Sequence, residues 1–282
     1  MALSIFTSGS SMASINALNK SNSMLSTAME RLGTGKRINS AADDAAGLQI
    51  ASRLQGQSNG MAVAQRNISD ATAMLQTAEG AFDEVSNIMY RMKDLATQAA
   101  NDTNTAKDRE AIGSELGELQ KELDNIMGNT SYGGEKLFDS TDGKLTKEMN
   151  FQIGSSADEK MSVNLSGALA ATASGITSIS GALAGIDTAS GAQALMKTLE
   201  TSLESVGSMR SSLGANINRL GHTAANLANM KDNTELALGN IQDADFASEA
   251  SSMTRNQMLA QTSMSMLKQS NSMSGMVMSL LG

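Results

Sequence analysis

Residues 54–99 read LQGQSNGMAVAQRNISDATAMLQTAEGAFDEVSNIMYRMKDLATQA, and the spacing within them decides the fold class. Leu54, Met61, Ile68, Leu75, Phe82, Met89 and Ala96 recur every seven residues and are all apolar. Three positions beyond them stand Gln57, Ala64, Ala71, Ala78, Val85, Met92 and Ala99, apolar in every case but the first. Apolar side chains at alternating steps of three and four line one stripe of an α-helix and make the seam of a coiled coil. Such a helix is about 70 Å long at 1.5 Å per residue. Its alanine companions let a partner helix approach closely.

The partner lies in the second half. Ala192, Leu199, Val206, Leu213, Leu220, Leu227, Thr234 and Ile241 are again seven apart, thickened by Leu203, Ile217, Ala224 and Leu238 and interrupted by Arg210 and Lys231. Between the two stripes, Thr105–Met127 reads as a shorter helix with Ile112, Leu116, Leu119, Leu123 and Ile126 on one face. The period then switches to two. Met149, Phe151 and Ile153, then Met161, Val163 and Leu165, alternate with polar residues around a polar segment holding Gly154, the pattern of a β-hairpin with a longer loop. Tyr132–Phe138 (YGGEKLF) reads as a turn leading into it, and the small, Gly/Ser-rich residues 168–187 as a surface linker. The predicted class is mainly α: a long antiparallel coiled-coil hairpin rod with a small β-hairpin region near 133–165.

Composition agrees and excludes much chemistry. The 282 residues include no Cys, no Pro and no Trp, and one His. Without Cys there is no disulfide, thiolate metal site or cysteine nucleophile; without Pro, long uninterrupted helices are favoured. The net charge of −8 opposes general binding to nucleic acid phosphates. No stretch reaches 18 uncharged apolar residues, and the start, MALSIFTSGS, lacks the basic n-region of a cleaved signal, so no membrane partner is expected.

Both ends share an unusual character. Residues 1–29 carry one charge, Lys20, and residues 256–282 one, Lys268. Both are rich in Ser, Asn and Met, with apolar residues at helical spacing: Ile15, Leu18, Leu25, Met29 and Leu32 at the start, Phe246, Ala250, Met253, Ala260, Met264, Leu267, Met278 and Leu281 at the end. Such helices are marginal alone, because helical stability comes chiefly from packing. Flexible Met side chains suit a surface that repacks against a partner. The expectation is termini that order on assembly. Gly33-Thr-Gly35 ends the first helix, Ser40-Ala-Ala-Asp43 opens the next as a capping box, and Asp243 and Asp245 cap the last.

No catalytic constellation emerges. Gly33-Thr-Gly35-Lys36 lacks the P-loop's earlier glycine, since Glu30 stands there, and Arg37 follows the lysine in place of Ser or Thr. Asp43–Asp44 and Asp243/Asp245 read as helix caps before metal ligands, and His222 as a helix-surface or packing residue. No catalytic, cofactor or metal residue is assigned.

The motifs at the two ends resemble those of bacterial flagellin. Leu25-Ser-Thr-Ala-Met-Glu-Arg-Leu32 with Gly35-Lys-Arg-Ile-Asn-Ser-Ala-Ala-Asp-Asp-Ala-Ala-Gly-Leu-Gln-Ile50 is similar to its N-terminal signature. Arg210–Ala215, Asn218–Thr223, Ile241–Ala247 and Thr254–Gln257 are similar to its C-terminal one. Gly221, where the family often has an acidic residue, and Ser274, where Pro is common, depart from it. The resemblance implies an inner coiled-coil domain from 1–42 and 242–282, a helical rod from 43–167 and 188–241, and a linker at 168–187 in place of outer domains. It implies a subunit that polymerises into the extracellular flagellar filament for motility, and an assembly core including Ile15, Leu18, Leu25, Leu32, Phe246, Met253, Met264 and Leu267. The implied partners are further copies of the chain, an export chaperone of the flagellar type III pathway, and the filament cap and hook-junction proteins. The short middle resembles lateral (swarming) flagellins. A hook–filament junction protein, which shares the terminal architecture, is the alternative. Within Ile88–Asn101, Arg91 and Leu95, together with Glu115, match positions that the vertebrate flagellin-sensing Toll-like receptor contacts in that family.

Overall fold

The computed structural model describes residues 9–139 and 142–281; the side chains of 274, 275 and 277–281 are not described. The apolar pair Ile5–Phe6 and the side chains of Met278 and Leu281 lie outside the described set. Among the described residues six α-helices dominate: α1 (Gly9–Thr34), α2 (Ala45–Ala99), α3 (Ala106–Asn129), α4 (Ser166–Leu183), α5 (Ala189–Gln242) and α6 (Phe246–Leu281). Two small antiparallel hairpins, β1 (Ser131–Tyr132) with β2 (Glu135–Lys136) and β3 (Met149–Gln152) with β4 (Lys160–Val163), stand between α3 and α4. The chain divides into two compact units, Met1–Gln57 with Asp232–Gly282 and Ser58–Lys231. The division falls inside α2 and α5, away from the expected 42/43 and 241/242 boundaries. Those helices run through it without a loop, so no change of composition marks it.

In the unit Ser58–Lys231 the predicted seam of α2 is the core. Met61, Ile68, Leu75, Phe82, Met89 and Ala96 are buried, as are Ala64, Ala71, Ala78, Val85, Met92 and Ala99. At its N-terminal end the seam departs from the expected register. Gln57 is exposed and Leu54 half-buried, while Ser58 is buried. Two successive three-residue steps, Ser58 to Met61 to Ala64, replace the three–four alternation there, a stammer that keeps the amide of Gln57 in water.

Helix α5 contributes Ala192, Leu199, Val206, Leu213, Leu220 and Leu227 to the same core. Its buried companions are Leu195, Ser202 and Met209, three residues on from the first three of these. The helices run antiparallel, since Glu79 meets Arg210 and Lys93 meets Glu200. Arg210, which interrupts the stripe in sequence, is a bridge in space. Its guanidinium donates to Glu79 from Nε at 3.2 Å and Nη2 at 2.8 Å, and Nη2 lies 2.9 Å from Asp83. The Glu79 hydrogen bond, with the two nearby carboxylates, raises the Arg210 pKa further above its ordinary value.

Residues 168–187, expected as a linker, are corrected to a helix through Leu183 followed by a turn. Leu169, Thr172, Ile176 and Ile179 sit at three–four–three spacing on α4, and all four are buried. The alanines and glycines between them hid the stripe, because small residues leave little contrast between the two faces. The Tyr132–Phe138 turn proves to be a hairpin of its own: Gly133 (φ 61°) and Gly134 (φ 85°) supply the two left-handed residues of a tight two-residue turn. Phe138 then stacks at a tilt on Phe82, ring centroids 4.7 Å apart. β3 and β4 pair in the register Met149↔Val163 and Phe151↔Met161, so the alternating apolar residues share one face.

The start of α3 carries a capping box. Thr105 Oγ1 accepts from the Asp108 amide, while the Asp108 carboxylate accepts from the Thr105 amide at 2.9 Å and hydroxyl at 2.7 Å. The Thr105 hydroxyl, followed by its amide, holds the Asp108 pKa below the usual 3.8. A carboxylate depressed on folding stabilises above its unfolded pKa and loses that contribution as pH falls through the folded value. Opening of the first turn of α3 should therefore increase as pH drops below 3.8 and be flat above it. Amide exchange at residues 106–109, corrected for intrinsic rates, measures this; a flat profile across that window would disprove it.

Candidate assembly surface

The terminal helices α1 and α6 form an antiparallel pair. Ser10 and Ser11 Oγ lie 2.9 and 3.0 Å from Ser270 Oγ at one end, and Arg31 Nη1 donates to Glu249 Oε1 at 2.9 Å toward the other. The chain between α1 and α2 then binds the α5–α6 turn. Arg37 donates its amide to the Gln242 carbonyl and its guanidinium to the Ile241 carbonyl, and the Ala244 amide donates to Gly35 O. Gly35, with φ of 73°, makes this clasp possible, since it ends α1 in the left-handed region. On the far side Asp245 Oδ1 accepts from the amides of Ala247 and Ser248, the cap expected for α6. The opening of α2 differs from expectation. Ser40 and Asp43 close a turn, where the amides of Ser40 and Asn39 lower the Asp43 pKa. The helix itself is capped by Asp44 Oδ1, accepting from the Gly47 amide at 2.9 Å.

The seam of the terminal pair is made largely of small side chains. Along α1, Ser11, Ser14, Leu18, Ser21, Leu25, Ala28 and Leu32 follow the three–four rule and are buried or half-buried. They are answered on α6 by Ser252, Asn256, Ala260, Ser263, Leu267 and Ser270. Among these, Ser21, Ala28 and Asn256 are the buried members. A seam lined by hydroxyls and methyls lets the helices lie close, yet removes little apolar area from water.

The large apolar side chains point the other way. Phe246 is 64% exposed, Met264 49% and Ile15 42%; Met12, Met29, Met258, Leu259, Met266 and Met273 are exposed as well. The residues expected as one assembly core therefore separate into two sets. Leu18, Leu25, Leu32, Met253 and Leu267 are half-buried and serve the pair itself, whereas Ile15, Phe246 and Met264 face outward. Fully burying each outward side chain is worth about 1.5–3 kcal/mol, so the pair presents many large side chains that water disfavours. Charge does not oppose association: α1 carries only Lys20, Glu30 and Arg31, and α6 only Glu249, Arg255 and Lys268. Of the outward methionines the sequence pattern singles out Met29 and Met264 but not Met12, Met258, Met266 and Met273, because an unpaired helix wheel cannot say which of two apolar stripes its partner covers.

Arg91 and Glu115 meet on the surface of the other unit, where Arg91 Nη2 donates to Glu115 Oε1 at 2.7 Å and both side chains are about half exposed, 57% and 49%. Leu95 does not join them. It is 4% exposed and belongs to the core with Ile112 and Leu116, whereas the resemblance implies a surface contact. His222 is exposed on α5. Among the described residues no three His, Asp or Glu side chains gather as metal ligands, and no helix is long and apolar enough to cross a membrane.

Two family models cover most of the chain: the bacterial flagellin N-terminal helical region matches residues 5–142, and the C-terminal helical region matches 196–281. The chain belongs to the flagellin family. It is similar to Flagellin A of Vibrio anguillarum (34% identity, all of both chains) and to the flagellin of Bacillus subtilis (37%, 95% of this chain and 96% of that one). The Vibrio alignment runs over 382 positions against a chain of 282 residues, so about a hundred positions are occupied in the relative alone. A solved structure provisionally assigned as a flagellar hook-associated protein from Vibrio parahaemolyticus shares the fold. It has a TM-score of 0.61 at 16% identity, over 71% of this chain and all of that one. As a flagellin, the chain is a structural subunit of the extracellular flagellar filament and not an enzyme, and self-association is its function.

Proposed function

We propose that the outward face of the α1–α6 pair is the surface on which copies of this flagellin pack in the filament. The observation that carries the reading is the exposure of Phe246, Met264, Met258 and Ile15 on two helices nearly free of charge. Repeated packing of one chain into an open helical polymer requires two different, complementary patches, and the antiparallel pair offers the α1 side and the α6 side. Purified chain added to filament fragments should elongate them into long filaments visible by negative stain. Short caps that never grow would favour the hook–filament junction alternative.

The finer partners follow from the same surfaces. The sparsely charged, Met-rich α6 suits an export chaperone that keeps the unassembled chain soluble on its way through the flagellar type III pathway, and the cap and hook-junction proteins would meet the two ends of the growing stack. The short middle segment favours the lateral subtype. For the Toll-like receptor, Arg91 is the exposed anchor and Glu115 its orienting carboxylate. Arg91→Ala should lower the potency of monomer in a receptor reporter cell by at least about tenfold, the range of an interface hot spot. Unchanged potency would remove the assignment.

A further inference from the structure

The methionines of the described residues include a buried set and an exposed set, with Met127, Met149, Met196 and Met253 between them. Met61, Met74, Met89, Met92, Met161 and Met209 are at most 5% exposed. On the terminal pair Met12, Met29, Met258, Met264, Met266 and Met273 are between 49% and 59% exposed. The chain has no cysteine and no tryptophan, so an oxidant reaching it meets no thiol or indole and finds accessible sulfur in these thioethers and in Met24 and Met276 beside them. They stand on helices whose neighbouring side chains are mostly Ser, Asn, Gln and Ala, with few charges to shield them.

We propose that the exposed methionines of α1 and α6 are a peroxide-sensitive modification site that governs entry of the subunit into the filament. Hydrogen peroxide transfers one oxygen atom to the sulfur. The O–O bond breaks, the S–O bond forms, the thioether loses two electrons, and water leaves. The product sulfoxide is polar and chiral where the thioether was flexible and apolar. Burying it in an apolar contact leaves its oxygen without a hydrogen-bond partner, so association weakens by at least about tenfold for each sulfoxide so placed. The change is reversible, because methionine sulfoxide reductases restore the thioether. Once copies have packed, the same sulfurs are covered, so the sensitivity belongs to the unassembled subunit. The inference rests on the proposed packing role of the terminal pair.

The experiment uses the full chain, as monomer and as preformed filament, treated briefly with hydrogen peroxide, mapped by peptide mass spectrometry and then assayed for seeded elongation. In the monomer, sulfoxide should form at Met258, Met264, Met266 and Met273 at least about tenfold faster than at Met61, Met89 and Met92, following exposure. Elongation should fall by a similar factor and return after treatment with both epimer-specific reductases. A chain with Met12, Met24, Met29, Met258, Met264, Met266, Met273 and Met276 changed to Leu should elongate equally fast before and after peroxide, whatever its own untreated rate. Should that variant fail to assemble, the reductase rescue of the parent chain decides alone. Oxidised monomer that elongates at the untreated rate, with those sulfurs protected in the filament, overturns this inference and leaves the packing surface standing. Sulfoxide forming equally fast in filament and monomer overturns the packing surface itself.

Discussion

A chain ending at Arg255 should form no filaments on seeds that the full chain elongates. The deletion removes Asn256, Ala260, Ser263, Leu267 and Ser270, the α6 side of the seam through most of its length. It also removes Met258, Leu259, Met264 and Met266 from the outward face. Helix α1 then loses its partner. Its own buried residues are Ser21 and Ala28, and the half-buried Leu18, Leu25 and Leu32 would face water. An isolated helix of that length and composition is marginal, so α1 should unfold with the deletion. The core of Ser58–Lys231 has no member within the deleted stretch, so circular dichroism should keep the signal of α2 to α5. Filaments of ordinary length from the truncated chain would show that the C-terminal helix is dispensable for assembly.

The second large effect is expected at Phe82. Its ring is fully buried at the centre of the α2 seam and packs on Phe138, which follows the β1–β2 hairpin. Phe82→Ala empties that volume where close-packed helices cannot collapse into it, and buried Phe→Ala substitutions cost about 3–5 kcal/mol. Alanine's better helix propensity returns only about half a kcal/mol. For a unit of this size each kcal/mol is worth roughly 2–4 °C, so the melting temperature should drop by about 10 °C. Urea unfolding followed at 222 nm gives the free energy directly. A loss below about 1 kcal/mol would mean that the ring is not the keystone its burial indicates.

The long helices were legible in the sequence because a large apolar residue every seventh position has no other economical reading. The positions misplaced there are those where side-chain size or polarity hid the geometry. Leu195, Ser202 and Met209 complete the α5 seam at the three-residue step, but the serine broke the apparent pattern. Arg210 looked like a defect until Glu79 and Asp83 stood opposite it, and a charge partner across two helices leaves no trace in one stripe. Helix α4 was hidden because alanine and glycine blur the contrast between its faces. Leu95 came from a resemblance, which gives the position of a residue and not the direction of its side chain. At the terminal pair the apolar spacing was right, yet a Ser/Ala seam took the inside and sent Ile15, Phe246 and Met264 outward. No wheel drawn for either helix alone ranks a serine stripe above a methionine stripe.

Helix α4 and the turn that follows it bear on how such a chain can grow. Neither family model reaches residues 143–195, and the Vibrio relative carries about a hundred further positions. In this chain Ala184 and Gly185 are exposed between α4 and α5, while Ile186 next to them is buried and Thr188 Oγ1 accepts from the Gly191 amide at the start of α5. The entropy of closing a loop rises only as the logarithm of its length, about 0.6 kcal/mol for each doubling. A guest sequence spliced between Ala184 and Gly185 therefore leaves Ile186 and the Thr188 cap in place at small thermodynamic expense. That turn is where the folded subunit takes up added length at least cost to its core.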